Sequence, residues 1–226
     1  DGVSTLLYLM TLYRHEWNNF LERLGLPDDS QIFKSKYLLE TRMWASLRAQ
    51  TLFRTVEGMM YADAALRLLA NLEGITAEAE VDQLIPQKFN YVVATQVYGR
   101  MKKNQEHKAD DIEFLLQRHP NLRVAYIDEV RANRDGDVAM YSVLIKSDQR
   151  GRIKEIYRVK LPGNPVVGEG KPENQNHSII FSRGQHVMAV DMNQDGYFEE
   201  ALKLRNMLEE FRPSPTSQTP QIVGFR

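Results

Sequence analysis

The chain of 226 residues contains no cysteine, which excludes disulfide bonds and thiolate metal sites and is compatible with a reducing compartment. Its formal net charge is only -1, so no global excess of charge favours nucleic acid as a partner. It has no visible secretory leader and no apolar run long enough to cross a bilayer. Because it begins without methionine and stops just after an apolar segment, we expect a piece of a longer protein, about whose membrane segments the piece says little.

Helical periodicity dominates the first part of the chain. Apolar residues recur with a period near 3.6 over residues 3–24, and a region rich in Leu, Ala, Met and Arg over residues 37–72 predicts further helix. The pattern changes after Pro86. We therefore divide the chain into a helical N-terminal part, residues 1–86, and an α/β part, residues 87–226, which we expect to be incomplete at its C-terminus.

The second part begins with a predicted βαβ unit. Short β-branched and aromatic runs at residues 89–95 and 122–128 enclose a helical pattern at residues 110–118, which predicts parallel strands and a ligand crevice at their carboxyl ends. The fold class is thus α/β, with a mixed, mainly parallel sheet and flanking helices. Further strands are predicted at residues 138–145 and 153–161, which look like a hairpin or meander, and at residues 178–181 and 186–190; a helix is predicted at residues 197–211.

The segment from Gly163 to Gly196 is unusually polar, with several glycines and side-chain amides around two short apolar runs. Residues 168–171 (GEGK) are either a turn that cradles phosphate oxygens, with Lys171 as a point charge, or an ordinary β-turn; the spacing is not that of a Walker loop. The adjacent amides of Asn174, Gln175 and Asn176 need hydrogen-bond partners, which sugar hydroxyls, a base or a pyrophosphate would supply.

Residues 191–196 (DMNQDG) begin like a calcium-binding loop, but Leu202 stands where that loop needs its bidentate glutamate. An alternative is a strand-to-helix turn in which Asp195 caps the next helix. In a third interpretation Asp191 is a functional acid, since a carboxylate at the end of an apolar strand is costly unless it meets a cation, a donor or a metal.

Two further polar residues follow the predicted parallel strands. Asp128 ends one strand and Gln96 lies just beyond the other, so each either faces the ligand crevice or caps a turn. Three arginines, Arg42, Arg48 and Arg54, give the second helical region a basic, aromatic character, which is typical of a solvated or interlobe face. The five histidines lack the spacing of metal ligands, and no Ser-His-Asp or Cys-His system is visible.

These segments carry a family resemblance that spans nearly all of the chain. In order, the blocks WASLRAQTLFRTVEGMMY, KFNYVVATQVYG, LRVAYIDEV, IYRVKLPGNPVVGEGKPENQNHSIIFSRG and VDMNQDGYFEEALKLRNMLEEF resemble the 1,3-β-glucan synthase family, glycosyltransferase family 48, which includes the callose synthases. The resemblance implies a partial GT-A-like nucleotide-sugar transferase domain. The implied activity is inverting transfer of glucose from UDP-glucose to a growing 1,3-β-glucan chain.

The resemblance also implies roles for individual residues. Lys171 would face the nucleotide diphosphate, and Asp191 would be the acid near the UDP-sugar and a divalent cation, Mg²⁺ by preference. Asn174, Gln175, Asn176, Asp128 and Gln96 would contribute to binding UDP-glucose. The stretch around Arg54 matches one associated with UDP-glucose contact. A general base for the acceptor hydroxyl is expected beyond Arg226.

For the whole enzyme the resemblance implies a β-glucan acceptor chain, a small-GTPase regulator, and a place at the cytosolic face of the plasma membrane within a polytopic membrane protein. A different interpretation is a regulatory or scaffold domain that keeps the fold but binds no donor. The distinguishing expectation is geometric, because donor binding requires Lys171, Asn176 and Asp191 to converge on one pocket. A soluble nucleotide-sugar hydrolase would need a complete acid–base pair, which the chain does not offer.

Overall fold

The computed structural model describes residues 3–131, 138–165, 170–213 and 218–224. The chain forms two compact units, each containing a segment from the first and from the last part of the sequence. The first unit comprises Asp1–Gly58 and Val190–Tyr197, and the second comprises Met59–Ala189 and Phe198–Arg226. The functional division predicted after residue 86 stays a prediction.

The first unit is built from helices α1 (Thr5–Leu12), α2 (Arg14–Arg23) and α3 (Ser35–Ser46) and from the start of α4 (Leu52–Leu72). Each of the two predicted helical regions is thus divided into two helices. The core centres on Trp17 and Trp44, whose rings meet edge-on at 4.8 Å between centroids. Arg48 lies over the Trp44 ring and forms an ion pair with Glu16, so this arginine serves the packing of the unit.

The second unit contains a four-stranded sheet in the order β1-β2-β3-β4. The α/β class and the mixed sheet with flanking helices are confirmed. The prediction of a mainly parallel sheet is wrong, because only β1 and β2 pair in parallel, whereas β2, β3 and β4 form an antiparallel meander. The strands are β1 (Tyr91–Ala94), β2 (Leu122–Arg131), β3 (Val138–Ser147) and β4 (Ile153–Lys160).

Helices surround this sheet and extend the unit. Besides the rest of α4, they are α5 (Glu78–Lys88), α6 (Tyr98–Lys103), α7 (His107–Arg118), α8 (Lys171–Asn176), α9 (Phe198–Leu202) and α10 (Leu204–Glu209). The helix predicted over residues 197–211 is therefore two short helices. The predicted strand at residues 178–181 is a 3₁₀ turn at Ile179–Phe181, and the one at residues 186–190 has no regular structure.

Both of those wrong strand predictions concern apolar runs that are largely exposed. Ile179 and Ile180 are about half exposed and only Phe181 is buried, so the run has one inward residue per turn, as a helical turn has. Val187 and Met188 are also exposed. A short apolar run predicts burial but does not by itself distinguish a strand from a helical turn.

The sheet of the second unit has helical elements on both faces. On one face, α6 and α7 lie against Tyr126, Ile145 and neighbouring side chains. On the other, Phe181 packs on Ala125 and Leu144. Because successive side chains of a strand point to opposite faces, this alternation assigns every residue of β2 to one face or the other.

None of the helices in the described ranges is both long and apolar enough to span a lipid bilayer.

Candidate functional site

The lysine and amides that the sequence analysis singled out lie on helix α8. Gly170 precedes this helix with φ +92°, a left-handed conformation that favours glycine, so the chain turns sharply into Lys171. Gly168 and Glu169, the other residues of the predicted turn, lie outside the described residues. The side chains of Lys171, Gln175 and Asn176 are exposed, whereas Glu173 and His177 are buried.

Asn174 joins α8 to the carboxyl end of β1. Its Nδ2 donates to the carbonyl of Ala94 at 2.9 Å, and its Oδ1 accepts from the main-chain N–H of Gln96 at 2.8 Å. One carboxamide thus bonds to two main-chain groups, as a peptide group of a neighbouring strand would. The structure brings together two predicted site residues, Asn174 and Gln96, but the contact is to the main chain of Gln96.

The side chain of Gln96 offers a group that the described protein does not use. Its Oε1 is buried and has no hydrogen-bond partner within the described residues. The desolvated oxygen of an amide costs free energy unless it accepts a hydrogen bond. The main chain of Gln96 lies beside α8 at the carboxyl end of a parallel strand, which is where ligands bind to open α/β sheets.

His177 attaches the other end of α8 to the centre of the sheet. The hydroxyl of Ser142 on β3 donates to the carbonyl of His177 at 3.0 Å, and its oxygen lies 2.9 Å from Nδ1 of the ring. When the single hydroxyl proton is donated to this carbonyl, Nδ1 is the donor to the Ser142 oxygen. The ring is 5% exposed and its Nε2 has no partner among the described atoms; burial lowers the pKa of His177 to about 4.

Asp128 lies elsewhere. β2 continues to Arg131 because it pairs with β3 as far as Val138, so the expectation that a strand ends at Asp128 is wrong. Asp128 shares a face of the sheet with Tyr126, opposite to the face on which α8 lies. It lines a cavity of about 380 Å³ between the sheet and helices α6 and α7.

Two cations contact the Asp128 carboxylate. Lys103 donates to Oδ1 at 2.8 Å and Arg158 to Oδ2 at 2.9 Å. Burial raises the pKa of Asp128, but the two hydrogen bonds and the two positive charges outweigh it and hold the pKa below its ordinary value. Asp128 is thus an ionised carboxylate within an ion-pair network. Sequence reasoning missed both partners, because each lies about 25 to 30 residues away in the chain.

Asp191 belongs to the first unit, in a turn closed by its own side chains. Its Oδ1 accepts from the N–H of Asn193 at 3.1 Å, while its own N–H donates to Oε1 of Gln194, also at 3.1 Å. This is an Asx-type turn, in which the aspartate side chain substitutes for a main-chain group. Asp191 is half-buried.

The segment Asp191–Gly196, the DMNQDG loop, contacts α4 and the residues just before it. Gln50 donates to Asn193, and Arg54 forms an ion pair with Asp195. A Cβ atom on Gly58 would stand 2.9 Å from Cα of Gly196. Arg54 and Gly58 are four residues apart and lie along one side of α4, whereas Gln50 lies just before the helix begins at Leu52. The predicted role of Asp195 as a helix cap is wrong, because α9 begins at Phe198 and the carboxylate of Asp195 is paired with Arg54.

Nowhere in the described residues do three or more His, Asp or Glu side chains form a group that could hold a metal ion. A cation held by Asp191 would therefore have at most one further His, Asp or Glu ligand among the described residues. Mg²⁺ in phosphate-transferring and nucleotide sites is often held by one or two carboxylates together with substrate phosphates and water. A cation shared with a diphosphate fits that donor set, whereas a site formed wholly by the described protein does not.

The architecture of a mixed α/β unit, with a lysine-bearing helix at the carboxyl end of a strand, occurs in proteins of many functions and by itself assigns none. Comparison with known proteins is specific. The sequence profile described as 1,3-beta-glucan synthase component matches residues 26–224. The chain belongs to the 1,3-β-glucan synthase family.

Curated relatives match over the entire chain. It is 48% identical to callose synthase 9 and 46% identical to callose synthase 5, both of Arabidopsis thaliana. Callose synthase 11 of the same plant is 43% identical. The matched region is 13% of the length of the first two relatives and 16% of the third.

Proposed function

We propose that this chain contributes the UDP-glucose-binding part of a membrane-embedded 1,3-β-glucan synthase. In this proposal Lys171 binds the diphosphate of the donor. The exposed amides of Gln175 and Asn176, together with Gln96, hydrogen-bond the sugar or the nucleoside. Membership of the family supports the choice of reaction, and the observation that carries the choice of site is the buried, unpartnered Oε1 of Gln96 beside the lysine-bearing helix.

The chemistry of the transfer explains why a lysine is needed. When the bond from glucose to the diphosphate breaks, negative charge develops on the β-phosphate. A positioned ammonium group lowers the barrier because its interaction strengthens as that charge grows. Lys171 follows the tight turn at Gly170, and α8 is attached to two strands of the sheet. A lysine carried by such an anchored helix meets the charge with little reorganisation.

A divalent cation is part of the proposal, with Asp191 as the protein's ligand to it. When bound, the cation would neutralise phosphate charge as a Lewis acid. Asp191 would orient that cation, and the internal hydrogen bonds of the DMNQDG loop fix the direction of its carboxylate. Asp128 has no proposed role at the donor, since it is paired with Lys103 and Arg158 on the other face of the sheet.

The remaining components belong to the whole protein, of which the matched chain is a small part. We propose that the acceptor is a growing 1,3-β-glucan, that its hydroxyl is deprotonated by a general base outside residues 1–226, and that a small GTPase regulates the enzyme. The proposed location is the cytosolic face of the plasma membrane.

The test is polymer synthesis by the full-length synthase with Lys171→Ala, measured as incorporation of glucose from UDP-glucose at saturating donor. Loss of a charge-stabilising donor lowers kcat by roughly 100-fold or more. Lys108→Ala is the matched control, because Lys108 is an exposed lysine of α7 whose loss removes the same charge. Equal activities of the two variants would refute the assignment of Lys171.

The alternative is a regulatory domain that binds no donor. It predicts that Lys171→Ala leaves the KM for UDP-glucose and the basal rate unchanged. Direct binding of UDP to the detergent-solubilised synthase, measured by calorimetry for the unsubstituted and Lys171→Ala proteins, separates the two functions. Weaker UDP binding by the Lys171→Ala protein than by the unsubstituted protein supports the donor site.

A further inference from the structure

We infer that Asn174 is a positioning residue, which holds α8 on the end of β1 so that Lys171 is presented to the donor, and that it does not itself recognise UDP-glucose. This inference rests on the proposed function of Lys171. It reassigns a residue that the sequence pattern groups with the exposed amides of the same helix.

The first argument is the geometry of the Asn174 carboxamide. Its donor and its acceptor are both engaged with the main chain, at 2.9 Å to Ala94 O and at 2.8 Å from Gln96 N. Both distances are those of good N–H···O bonds. A side chain that recognised a ligand with the same two groups would have to give up two such bonds.

The second argument is the direction in which the α8 side chains point. Asn174 and His177, the residue just after the helix, both bond to the sheet, Asn174 to the carbonyl of Ala94 and His177 to Ser142. Lys171, Gln175 and Asn176 are exposed. The helix therefore has an anchored side and a presented side, and Asn174 belongs to the anchored one.

The third argument is that α8 is too short to hold itself. It has six residues, and isolated helices of that length are unstable in water because too few hydrogen bonds offset the cost of nucleation. Its position and its integrity must come from contacts to the rest of the unit. The bonds of Asn174 lie one turn from Lys171, so their loss moves the ammonium group directly.

An asparagine can donate to the Ala94 carbonyl and accept from the Gln96 N–H at the same time, which neither aspartate nor alanine can do. Aspartate keeps an acceptor for the Gln96 N–H but places a second oxygen against the Ala94 carbonyl, where the asparagine donates. Alanine provides neither group. The pair Asn174→Ala and Asn174→Asp thus separates loss of both bonds from loss of the donor alone.

The test is a double-mutant cycle in the full-length synthase, with kcat/KM for UDP-glucose as the readout. Displacement of a catalytic group lowers kcat/KM by roughly 10- to 100-fold, and we expect such a loss for Asn174→Ala. In the Lys171→Ala background the same substitution should cost less than about 2-fold, because a residue that acts through Lys171 has nothing left to position. Additive losses would mean that Asn174 binds substrate independently and would overturn the inference.

Hydrogen exchange of the Gln96 amide supplies a readout that does not depend on donor binding. Loss of one net hydrogen bond corresponds to roughly 5-fold faster exchange, which we expect for Asn174→Ala but not for Asn174→Asp or for the exposed control Asn176→Ala. Unchanged exchange in Asn174→Ala would show that Asn174 does not hold the Gln96 amide, and the inference would fail. If exchange rises as expected but Lys171→Ala is fully active, Asn174 does hold α8 on the end of β1, and the proposed function of Lys171 fails.

Discussion

The two polar segments that dominate the sequence, α8 and the DMNQDG loop, are held in place by different physics. α8 is fixed in the second unit by neutral hydrogen bonds, one from Asn174 to Ala94 of β1 and one from Ser142 of β3 to the carbonyl of His177. The loop is fixed in the first unit by an ion pair, an exposed amide contact and a close approach of two glycines. One segment should thus respond to the protonation of a buried ring, and the other to backbone volume and to salt.

The largest effect should come from adding a methyl group where the two glycines meet. At Gly58 a Cβ atom would lie 2.9 Å from Cα and 3.1 Å from N of Gly196, and main-chain atoms cannot move aside as a flexible side chain can. We expect Gly58→Ala to lower the free energy of unfolding by roughly 3 kcal/mol, within the range of severe overpacking. Thermal unfolding, with hydrogen exchange of α4 peptides, measures this.

Whether Gly58→Ala lowers or raises the free energy of unfolding decides whether the two glycines approach closely. Gly58 lies inside a helix, where alanine by itself stabilises by up to about 1 kcal/mol, so a more stable variant would contradict the close approach. Gly163→Ala is the control, because a Cβ there has no atom within 4 Å and its φ is not positive. It should leave stability nearly unchanged.

A smaller effect is expected from acid on the α8 anchor. Burial lowers the pKa of His177 to about 4 in the folded protein, whereas the ring in the unfolded chain takes up a proton at its ordinary pKa of 6.5. The contribution of the neutral ring to the free energy of unfolding is therefore fully present above pH 6.5, and it is lost as the pH falls from 6.5 towards 4. By pH 5 the loss amounts to roughly 2 kcal/mol, measurable by denaturant unfolding between pH 7.5 and 4.5.

A non-titrating side chain tests the assignment to His177. His177→Gln should be less stable at pH 7.5 but should show a flatter stability profile between pH 6.5 and 4.5. His107→Gln removes a fully exposed histidine and should leave the slope as it is. A slope that persists in His177→Gln would assign the acid sensitivity to another group.

The smallest effect is expected for the ion pair between Arg54 and Asp195, whose side chains are 30% and 42% exposed. Pairs this accessible contribute at most about 1 kcal/mol. A double-mutant cycle with Arg54→Met and Asp195→Asn should give a coupling energy of that size at low salt, and it should shrink as salt is raised to about 1 M. A coupling energy that does not change with salt would indicate a buried ion pair. The DMNQDG loop would then not differ from α8 in its sensitivity to salt.

The sequence predicted which segments form the candidate site, but it did not predict what each side chain in those segments contacts. The polar run after Gly170 predicted a site for a many-oxygened ligand, which stays a prediction, and the segment forms a helix beside Gln96. What local sequence lacks is the partner of each side chain. Asn174 and Asn176 are chemically identical and two residues apart, yet one is bonded to β1 and the other is exposed.

The same limit applies to Asp128 and to the predicted strands. LRVAYID predicts a buried strand correctly, but only pairing with β3 decides that the strand continues past Asp128. Pairing also sets the face on which the carboxylate lies, because side chains alternate along a strand. The apolar runs at residues 178–181 and 186–190 have strand-like composition without a strand partner among the described residues, and they form a 3₁₀ turn and an irregular segment.

The sequence by itself determined the family, the α/β class and the segments that carry the polar chemistry, because these depend on residue types in a fixed order and on local periodicity. Tertiary structure alone decided the antiparallel pairing of β2 with β3, the pairing of Asp128 with Lys103 and Arg158, and the anchoring of α8 by Asn174 and His177. Apart from the strand pairing, those features join residues 25 to 80 positions apart. Hydrogen bonds and ion pairs over such separations form only when the fold brings both partners within about 3 Å.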